Sequence, residues 1–561
     1  MNLASILHKP LSEYAFAIDN NTYIFRLRTG KGECDDVRFG YADRAAMSPK
    51  LSFETVQMKK INTDKYYDWY EVVLKTEFER IAYYFELKDK EETKYYLGDA
   101  FEDSFDTDRS DYFQLPFNHR ADRIEVPEWV KEAMVYNIFP DSFADGRRTI
   151  SGKPSSKEYK GITCSSNLGG TINGIRENLD YIKGMGFNCI YLNPFFVADS
   201  YHKYDLIDYF HVDPTRGTDE DFRELVKAAH ENGIRVIIDG VFNHISSNHE
   251  FFKDVLEKGE DSEYYKCFYN LGPKPIRFPK TGEDLSYTCF AYVPEMPKTD
   301  TSNEWLKNYF VGVGEFWVKE YDVDGWRLDV ANEVDDGFLR AFFTKVKEAK
   351  SDAIVIGEVW ENASHYVNSH MMDGAMNYDF RRHLSAYIAK RRIDGEEFLA
   401  RMNGMFMRYS RQSVNAQLNL LDSHDVSRFF SLCEGNIDKV ELSIVLLMTM
   451  PGMPCVFYGD EHGIMGLTEP EYRQAMNFTD NDNLCSIYKK LIKIRKESDR
   501  NSRGFLSVSG GSINIEGCHF GVYINAEDTP VNIESVEGTV LLQKNYECGI
   551  LEPMGYIITK M

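Results

Sequence analysis

From Trp129 onward the chain alternates short apolar runs with longer amphipathic stretches. The apolar runs are Met134 to Phe139, Asn188 to Asn193, Arg235 to Asp239, Gly325 to Val330, Ile354 to Val359, Ala375 to Tyr378, Gln417 to Leu421 and Cys455 to Gly459. A run such as Val236-Ile237-Ile238 buries well on both faces, as a strand of a parallel sheet must. Between such runs, Asp219 to Glu231 and Asp336 to Ala349 carry apolar residues at three-to-four spacing and read as helices. Eight strands alternating with helices predict an α/β fold, a (β/α)8 TIM barrel. The interval from Ile245 to about Thr299 is rich in Asn, Gly, Pro and aromatics. It is too long for an ordinary loop and predicts a small subdomain inserted after strand 3.

Both ends of the chain follow a different rhythm. Residues 1–125 read as short alternating strands with turn punctuation, for example Tyr14 to Ile18, a turn at Asp19-Asn20-Asn21, then Tyr23 to Leu27. Trp69 to Lys75, Ile81 to Leu87 and Tyr95 to Gly98 continue the pattern, which is that of a β-sandwich. After the amphipathic stretch Leu484 to Lys496, residues 504–561 return to short strands. The expected organisation is an N-terminal β-sandwich over 1–125 and a barrel over 126–503 with its subdomain at about 245–299. A C-terminal β-sandwich over 504–561 completes it.

Four of the apolar runs end abruptly in acid, base or amide: at Asp239 and then Asn243-His244, at Arg327 and Asp329, at Glu358, and at Asp422, His424 and Asp425. An ionisable group at the end of a buried run is expensive unless the strand stops at a solvated mouth. In a (β/α)8 barrel that mouth is the carboxyl end, where active sites lie. A lone strand-end Asp is more often a cap, and an Arg-x-Asp more often a salt bridge. The same grammar repeated on strands three, four, five and seven argues for a catalytic pocket.

Within it, Arg327 and Asp329 leave the same face of one strand, and the guanidinium favours an ionised carboxylate suited to a nucleophile. Glu358, among Val355, Ile356, Val359 and Trp360, stands in surroundings that disfavour charge and suit a general acid. Two carboxyl groups with opposed environments divide the labour of glycoside hydrolysis. A zinc hydrolase is the competing reading. It lacks support, because no His-x-His or clustered histidine set is present.

Composition narrows the partners. The formal net charge of −24 disfavours nucleic acid and anionic membrane surfaces. Ten cysteines are scattered without a Cys-x-x-Cys pair, as buried thiols of a reducing compartment are. The first ten residues show no basic segment followed by a long apolar one, and no run approaches a membrane span. A cytoplasmic enzyme is expected.

At this point the motifs resemble those of the α-amylase superfamily of retaining glycoside hydrolases (family 13), and more narrowly its cyclomaltodextrinase, neopullulanase and maltogenic amylase group. The resemblance rests on Trp129 to Pro140, His202-Lys203-Tyr204-Asp205, Gly325 to Glu333 and Met296-Pro297-Lys298. It extends to Met450 to Pro454 with Tyr458 to Glu461, and to His8-Lys9-Pro10 with Phe25 to Gly30 in the N-terminal segment. It implies Asp329 as nucleophile, Glu358 as acid/base and Asp425 as transition-state stabiliser. Arg327, His244 and His424 would contact the cleaved sugar, with Tyr204 stacked beneath it and Asp239 supporting the site. Asn332, Glu333 and Trp360 would face the leaving group.

The implied substrates are cyclodextrins, maltooligosaccharides and pullulan, cut at α-1,4 bonds with some transglycosylation. The implied assembly is a homodimer using the starch-binding-like N-terminal domain. An α-1,6-glucosidase of the oligo-1,6-glucosidase type, or a catalytically silent starch-binding protein, are the alternatives. Calcium-binding members carry Asn-Gly-Asp and Gly-Gly-Asp where this chain has Asp145-Gly146-Arg147 and Gly169-Gly170-Thr171. Oxygen ligands are lost and a cation gained, so no cofactor, calcium included, is expected.

Overall fold

A computed structural model describes the chain apart from residues 48–49, 99, 106–111, 147, 273–277, 280–284, 479–481, 498–504, 510–511, 517–519, 534 and 561. Two compact units emerge, one comprising Val126–Lys390 with Asn415–Arg500, the other Met1–Glu125, Arg391–Val414 and Asn501–Met561.

The first unit is the expected barrel. Its strands are β1 (Val135–Ile138), β2 (Cys189–Leu192), β3 (Arg235–Gly240), β4 (Gly325–Leu328), β5 (Ile354–Gly357), β6 (Gly374–Asn377), β7 (Leu418–Leu420) and β8 (Met453–Phe457). All pair in parallel and in chain order, and β1 closes the ring against β8. Most are shorter than the apolar runs because the polar residues at their carboxyl ends have already left the sheet. The interior is packed with Val135, Cys189, Tyr191, Ile237, Ile354, Ile356, Met376, Leu418, Leu420 and Cys455. The ring closes tightly enough that a Cβ on Gly325 would lie 2.4 Å from the carbonyl oxygen of Ile354. Only glycine fits there.

Helices Asp219–Glu231 and Asp336–Ala349 form as the periodicity predicts. Thr218 and Asp221 make a capping box on the first, and Asp335 caps the second. These side chains satisfy amide groups that the first helical turn leaves unpaired. The stretch after β3 leaves and returns at one place: Ile245 N donates to Pro297 O at 3.2 Å and Thr299 N to Asn243 O at 3.1 Å. Two hairpins escape the apolar pattern, Ser155–Tyr159 with Ile162–Ser166 and Phe196–Ala198 with Leu206–Val212. The strand Ser155–Tyr159 is almost wholly exposed, so burial leaves no alternation there to read.

In the second unit, Ala15–Ala17, Thr22–Gly30, Tyr67–Lys75 and Lys59–Thr63 form one sheet of the N-terminal fold. Asp36–Asp43 and Ile81–Lys88 are the centre of another. Phe25, Phe39, Tyr83, Phe85 and Phe113 fill the core, so these aromatics are packing residues. The C-terminal sheet is built on Phe520–Asn525 and Ile550–Lys560. Residues 391–414 lie in the segment assigned to the barrel, yet they group with these β-folds. Polar and apolar contacts both join them: Asn62 Nδ2 donates to Asn403 O at 3.2 Å, Asn403 Nδ2 to Thr63 O at 3.1 Å and buried Arg26 to Tyr409 O at 2.7 Å, while Met407 packs with Tyr14 and Trp69. No hydrophobic period announces such contacts.

Candidate active site

Side chains of alternate residues share a strand face, so an interior column can change character along its length. On β3 the column runs from Ile237 to Asp239, and on β5 from Ile354 and Ile356 to Glu358 just beyond the strand. Register then sets the contacts: Arg327 is the Cα partner of Asp239 on one side and of Ile356 on the other.

Arg327 is wholly buried and its guanidinium serves three carboxylates. Nη1 donates to Asp239 Oδ1 at 2.8 Å and Oδ2 at 3.0 Å, and to Asp329 Oδ1 at 2.8 Å. Nη2 faces Glu358 Oε1 at 2.9 Å. Asp239 also accepts from Tyr191 at 2.7 Å and Tyr204 at 3.1 Å. One cation among three buried carboxylates leaves the cluster short of positive charge. Burial first, and then Glu358, Asp239 and Asp425, push Asp329 well above the usual carboxylate range against the pull of Arg327. This corrects the sequence reading in one respect. The guanidinium is where Arg-x-Asp placed it, but desolvation and like charge outweigh it.

Val330, directly after Asp329, is left-handed at φ 44° and ψ 46°, a conformation that a β-branched residue rarely adopts. The turn aims its amide at Glu358 Oε2, 3.0 Å away. Trp360 Nε1 donates to Oε1 of the same carboxyl at 3.0 Å while its ring stacks on Tyr378 at 4.3 Å. Glu358 is therefore held at both oxygens.

Beyond β7, Asn193 donates to His424 Nδ1 at 3.0 Å, which leaves Nε2 to bond Asp425 Oδ2 at 2.9 Å. Tyr204 lies against the same nitrogen with its ring parallel to the imidazole. Arg473 donates to Asp425 Oδ1 at 3.1 Å and to Glu469 at 2.6 Å. Although burial opposes it, the pull of His424, Arg327 and Arg473 holds the Asp425 carboxyl well below its ordinary range. Burial lowers His244 to about 3, so its ring is neutral at physiological pH and donates through Nε2 to Tyr204 O at 3.1 Å.

A cavity of about 500 Å³ opens at the carboxyl ends of the strands. Tyr204, His244, Asp329, Asn332, Glu333, Glu358, Trp360 and Asp425 line it, eight of the residues singled out from sequence. Arg327, Asp239 and His424 do not reach its surface. They are fully buried one layer beneath, where Arg327 and His424 are paired with carboxylates and Asp239 accepts from Arg327, Tyr191 and Tyr204. Sequence reasoning missed His202, Phe290, Met296, Glu469 and Arg473, which complete the lining with Val330. Phe290, Met296, Glu469 and Arg473 sit on irregular loops rather than strand ends, so strand grammar cannot reveal them.

This geometry is matched by relatives. The α-amylase catalytic domain family matches residues 137–502, and the α-amylase N-terminal Ig-like domain family residues 1–119. The chain is an α-amylase family glycoside hydrolase. It is 37% identical over 512 residues to the cyclomaltodextrinase of Geobacillus thermopakistaniensis (strain MAS1), covering 90% of this chain and 86% of that one. The same identity and coverage relate it to neopullulanase 2 of Thermoactinomyces vulgaris. A solved cyclomaltodextrinase structure superposes with a TM-score of 0.88 at 29% identity, covering 100% of this chain and 98% of that chain.

In the loops compared with calcium-binding members of this family, the described side chains of Asp145 and Thr171 are engaged with neighbouring protein groups. Arg147 lies outside the described residues. Asp145 accepts from the Ser151 amide at 2.8 Å and from its hydroxyl, and Thr171 spends its hydroxyl on the Gly174 amide at 3.0 Å as a helix cap. Among the described residues, no group of three His, Cys, Asp or Glu side chains is placed to hold a metal. EDTA should accordingly leave activity and Tm unchanged. A loss of Tm that calcium restores would show that the loops bind a cation.

The raised Asp329 has a consequence for stability. The folded protein holds this proton more tightly than the unfolded chain, so its contribution is full below about pH 4 and is lost as pH rises. Asp329→Asn should therefore raise Tm near pH 7. The gain should shrink as pH falls toward about 4, checked by thermal melts across pH. A pH-independent change would contradict the assignment.

Proposed function

We propose that this pocket cleaves α-1,4-glucosidic bonds by a two-step retaining mechanism, with Asp329 as nucleophile, Glu358 as acid/base and Asp425 as stabiliser of positive charge on the ring. The observation that carries the reading is the presentation of Asp329 and Glu358 on two nitrogens of one guanidinium, facing one cavity. Asp329 attacks the anomeric carbon as the glycosidic bond breaks, and Glu358 gives its proton to the departing oxygen. Glu358 then takes a proton from water, whose oxygen displaces the aspartyl ester. Asp425, ionised between His424 and Arg473, opposes the charge that develops on the sugar.

Cyclodextrins, maltooligosaccharides and pullulan are the proposed substrates, in keeping with the names of the cyclomaltodextrinase and neopullulanase relatives. Interception of the glycosyl-enzyme by a sugar hydroxyl would give some transfer. We place the enzyme in the cytoplasm as a homodimer. Among the described residues no helix is long and apolar enough to cross a membrane, and six of the nine described cysteines are buried.

Incubation with β-cyclodextrin, pullulan, isomaltose and soluble starch tests the substrate class, with the anomer of fresh product followed by NMR. Retained configuration is expected, and inverted product would reject the mechanism. Cleavage of isomaltose alone would favour an α-1,6-glucosidase. Asp329→Ala and Glu358→Gln should each lower kcat by about 10⁴-fold or more while the circular dichroism spectrum stays unchanged. Light scattering should give twice the chain mass.

A further inference from the structure

The loop between the strands Phe196–Ala198 and Leu206–Val212 carries two residues of the cavity lining, His202 and Tyr204. Lys203 stands between them, and its side chain and that of its partner Asp213 are wholly buried. The ammonium donates to Asp213 Oδ2 at 2.8 Å, to Ala198 O at 3.1 Å and to Ser165 O at 3.1 Å. An ammonium has three donors, and all three are used. Asp213 is satisfied as well, accepting from Ala198 N at 3.1 Å and Thr215 N at 2.8 Å. Ser165 belongs to the hairpin strand Ile162–Ser166, Ala198 to one strand of the second hairpin, and Asp213 directly follows the other. One side chain therefore ties the loop back to both hairpins.

Burying two opposite charges is expensive, and exchanging such a pair for apolar side chains is often neutral or stabilising. Cohesion does not account for Lys203; direction does. Its backbone is left-handed at φ 63°, a conformation unfavourable for a residue that carries a Cβ. The chain turns sharply there, so that Tyr204 N donates back to His202 Nδ1 at 3.1 Å. The ammonium points into the interior while the side chains before and after it reach the cavity. Arg216, also fully buried and paired with Asp141, grips the same loop at Tyr201: Nη2 donates to Tyr201 O at 2.7 Å and Nη1 to Ser166 Oγ at 3.0 Å.

Tyr204 is where this placement matters. Its hydroxyl donates to Asp239 Oδ2 at 3.1 Å, its ring lies parallel to His424 at 5.4 Å and 4°, and its carbonyl accepts from His244 Nε2 at 3.1 Å. Asp239 and His424 in turn bond Arg327 and Asp425. A shift of the backbone at 203 moves the Tyr204 ring against the groups that hold the charged residues of the pocket.

We infer that Lys203 is a positioning residue, whose buried ammonium sets how Tyr204 and His202 stand in the cavity and with them the surface against which the reacting sugar rests. Lys203 itself touches no substrate. The inference rests on the reading of the pocket as an α-1,4-glucan hydrolase. Misplacement by about 1 Å of a group that orients the reacting sugar lowers the rate by up to roughly 100-fold.

The test combines Lys203→Met with Asp213→Asn, which removes both charges together and leaves no lone buried ion. With β-cyclodextrin and maltoheptaose, kcat should fall roughly tenfold while KM stays within about twofold. In a Tyr204→Ala background, where no ring is left to place, the same pair of substitutions should change kcat by less than about twofold. A crystal structure of the paired variant should show the rings of Tyr204 and His202 displaced from their wild-type positions. Equal losses with and without the Tyr204 ring would overturn the inference, as would a loss confined to KM, unmoved rings, or a lower Tm with unchanged kcat. If the paired variant does not fold, Lys203→Gln, which is neutral and keeps two donors, is carried through the same measurements with the same expected directions. If the wild type cleaves neither glucan, the hydrolase reading falls, and the ring positions in the variant crystal still decide whether Lys203 places them.

Discussion

A single buried guanidinium fixes the arrangement on which the rest of the pocket depends. Arg327 is hydrogen-bonded to Asp239 and Asp329 and ion-paired with Glu358 at once. A fork of five donors in one plane can do this, whereas an ammonium ion would not hold the same spread of directions. The position is available only because β4 lies between β3 and β5 and because register sets Asp239 and Ile356 opposite Arg327. A one-residue slip of β4 would turn Arg327 out of the barrel and put Trp326 in its place. Chemistry and register are thus the same constraint seen at two scales.

The cost of the arrangement is electrostatic. Burial first, and then Glu358, Asp239 and Asp425, raise Asp329 against the pull of Arg327. A better balanced cluster would be more stable, but it would not set two carboxyl groups on one guanidinium at the cavity. Strain at Val330 belongs to the same trade. The left-handed turn supplies an amide to Glu358 that an ordinary strand continuation would direct elsewhere.

What could be read from the sequence divides along physical lines. The barrel was legible because parallel strands must be continuously apolar and amphipathic helices must repeat every three to four residues. All eight strands fall where the apolar runs lie, and the helices at 219–231 and 336–349 have the expected bounds. Strand-end residues such as Asp329 and Glu358 were legible because charge after an apolar run needs an explanation. Their electrostatics were less so, since Asp329 responds to Asp239 and Asp425, distant in the chain. Arg473 and Phe290 stayed hidden because loop geometry carries no period, and the grouping of residues 391–414 because its contacts, from the Asn62–Asn403 bond to the packing of Met407 on Tyr14 and Trp69, join residues distant in the chain.

The lining of the cavity is built on two kinds of physics, which bears on what the proposed enzyme can accept. Asp425 is held between His424 and Arg473, and Arg473 is held in turn by Glu469. Charge-assisted hydrogen bonds of this kind are directional and admit little variation in the group they meet. The lining also presents Trp360 stacked on Tyr378 and Phe290 on His244, surfaces that grip by area. Aromatic faces tolerate rotation and sliding of a sugar ring far better than a carboxylate does. In the proposed mechanism the charged groups must fix the sugar that becomes covalently bound, because its anomeric carbon has to meet Asp329. The aromatic faces need only retain the rest of the chain. A rigid charged set with adaptable aromatic faces is therefore suited to an enzyme that cuts one kind of bond in linear and cyclic glucans alike.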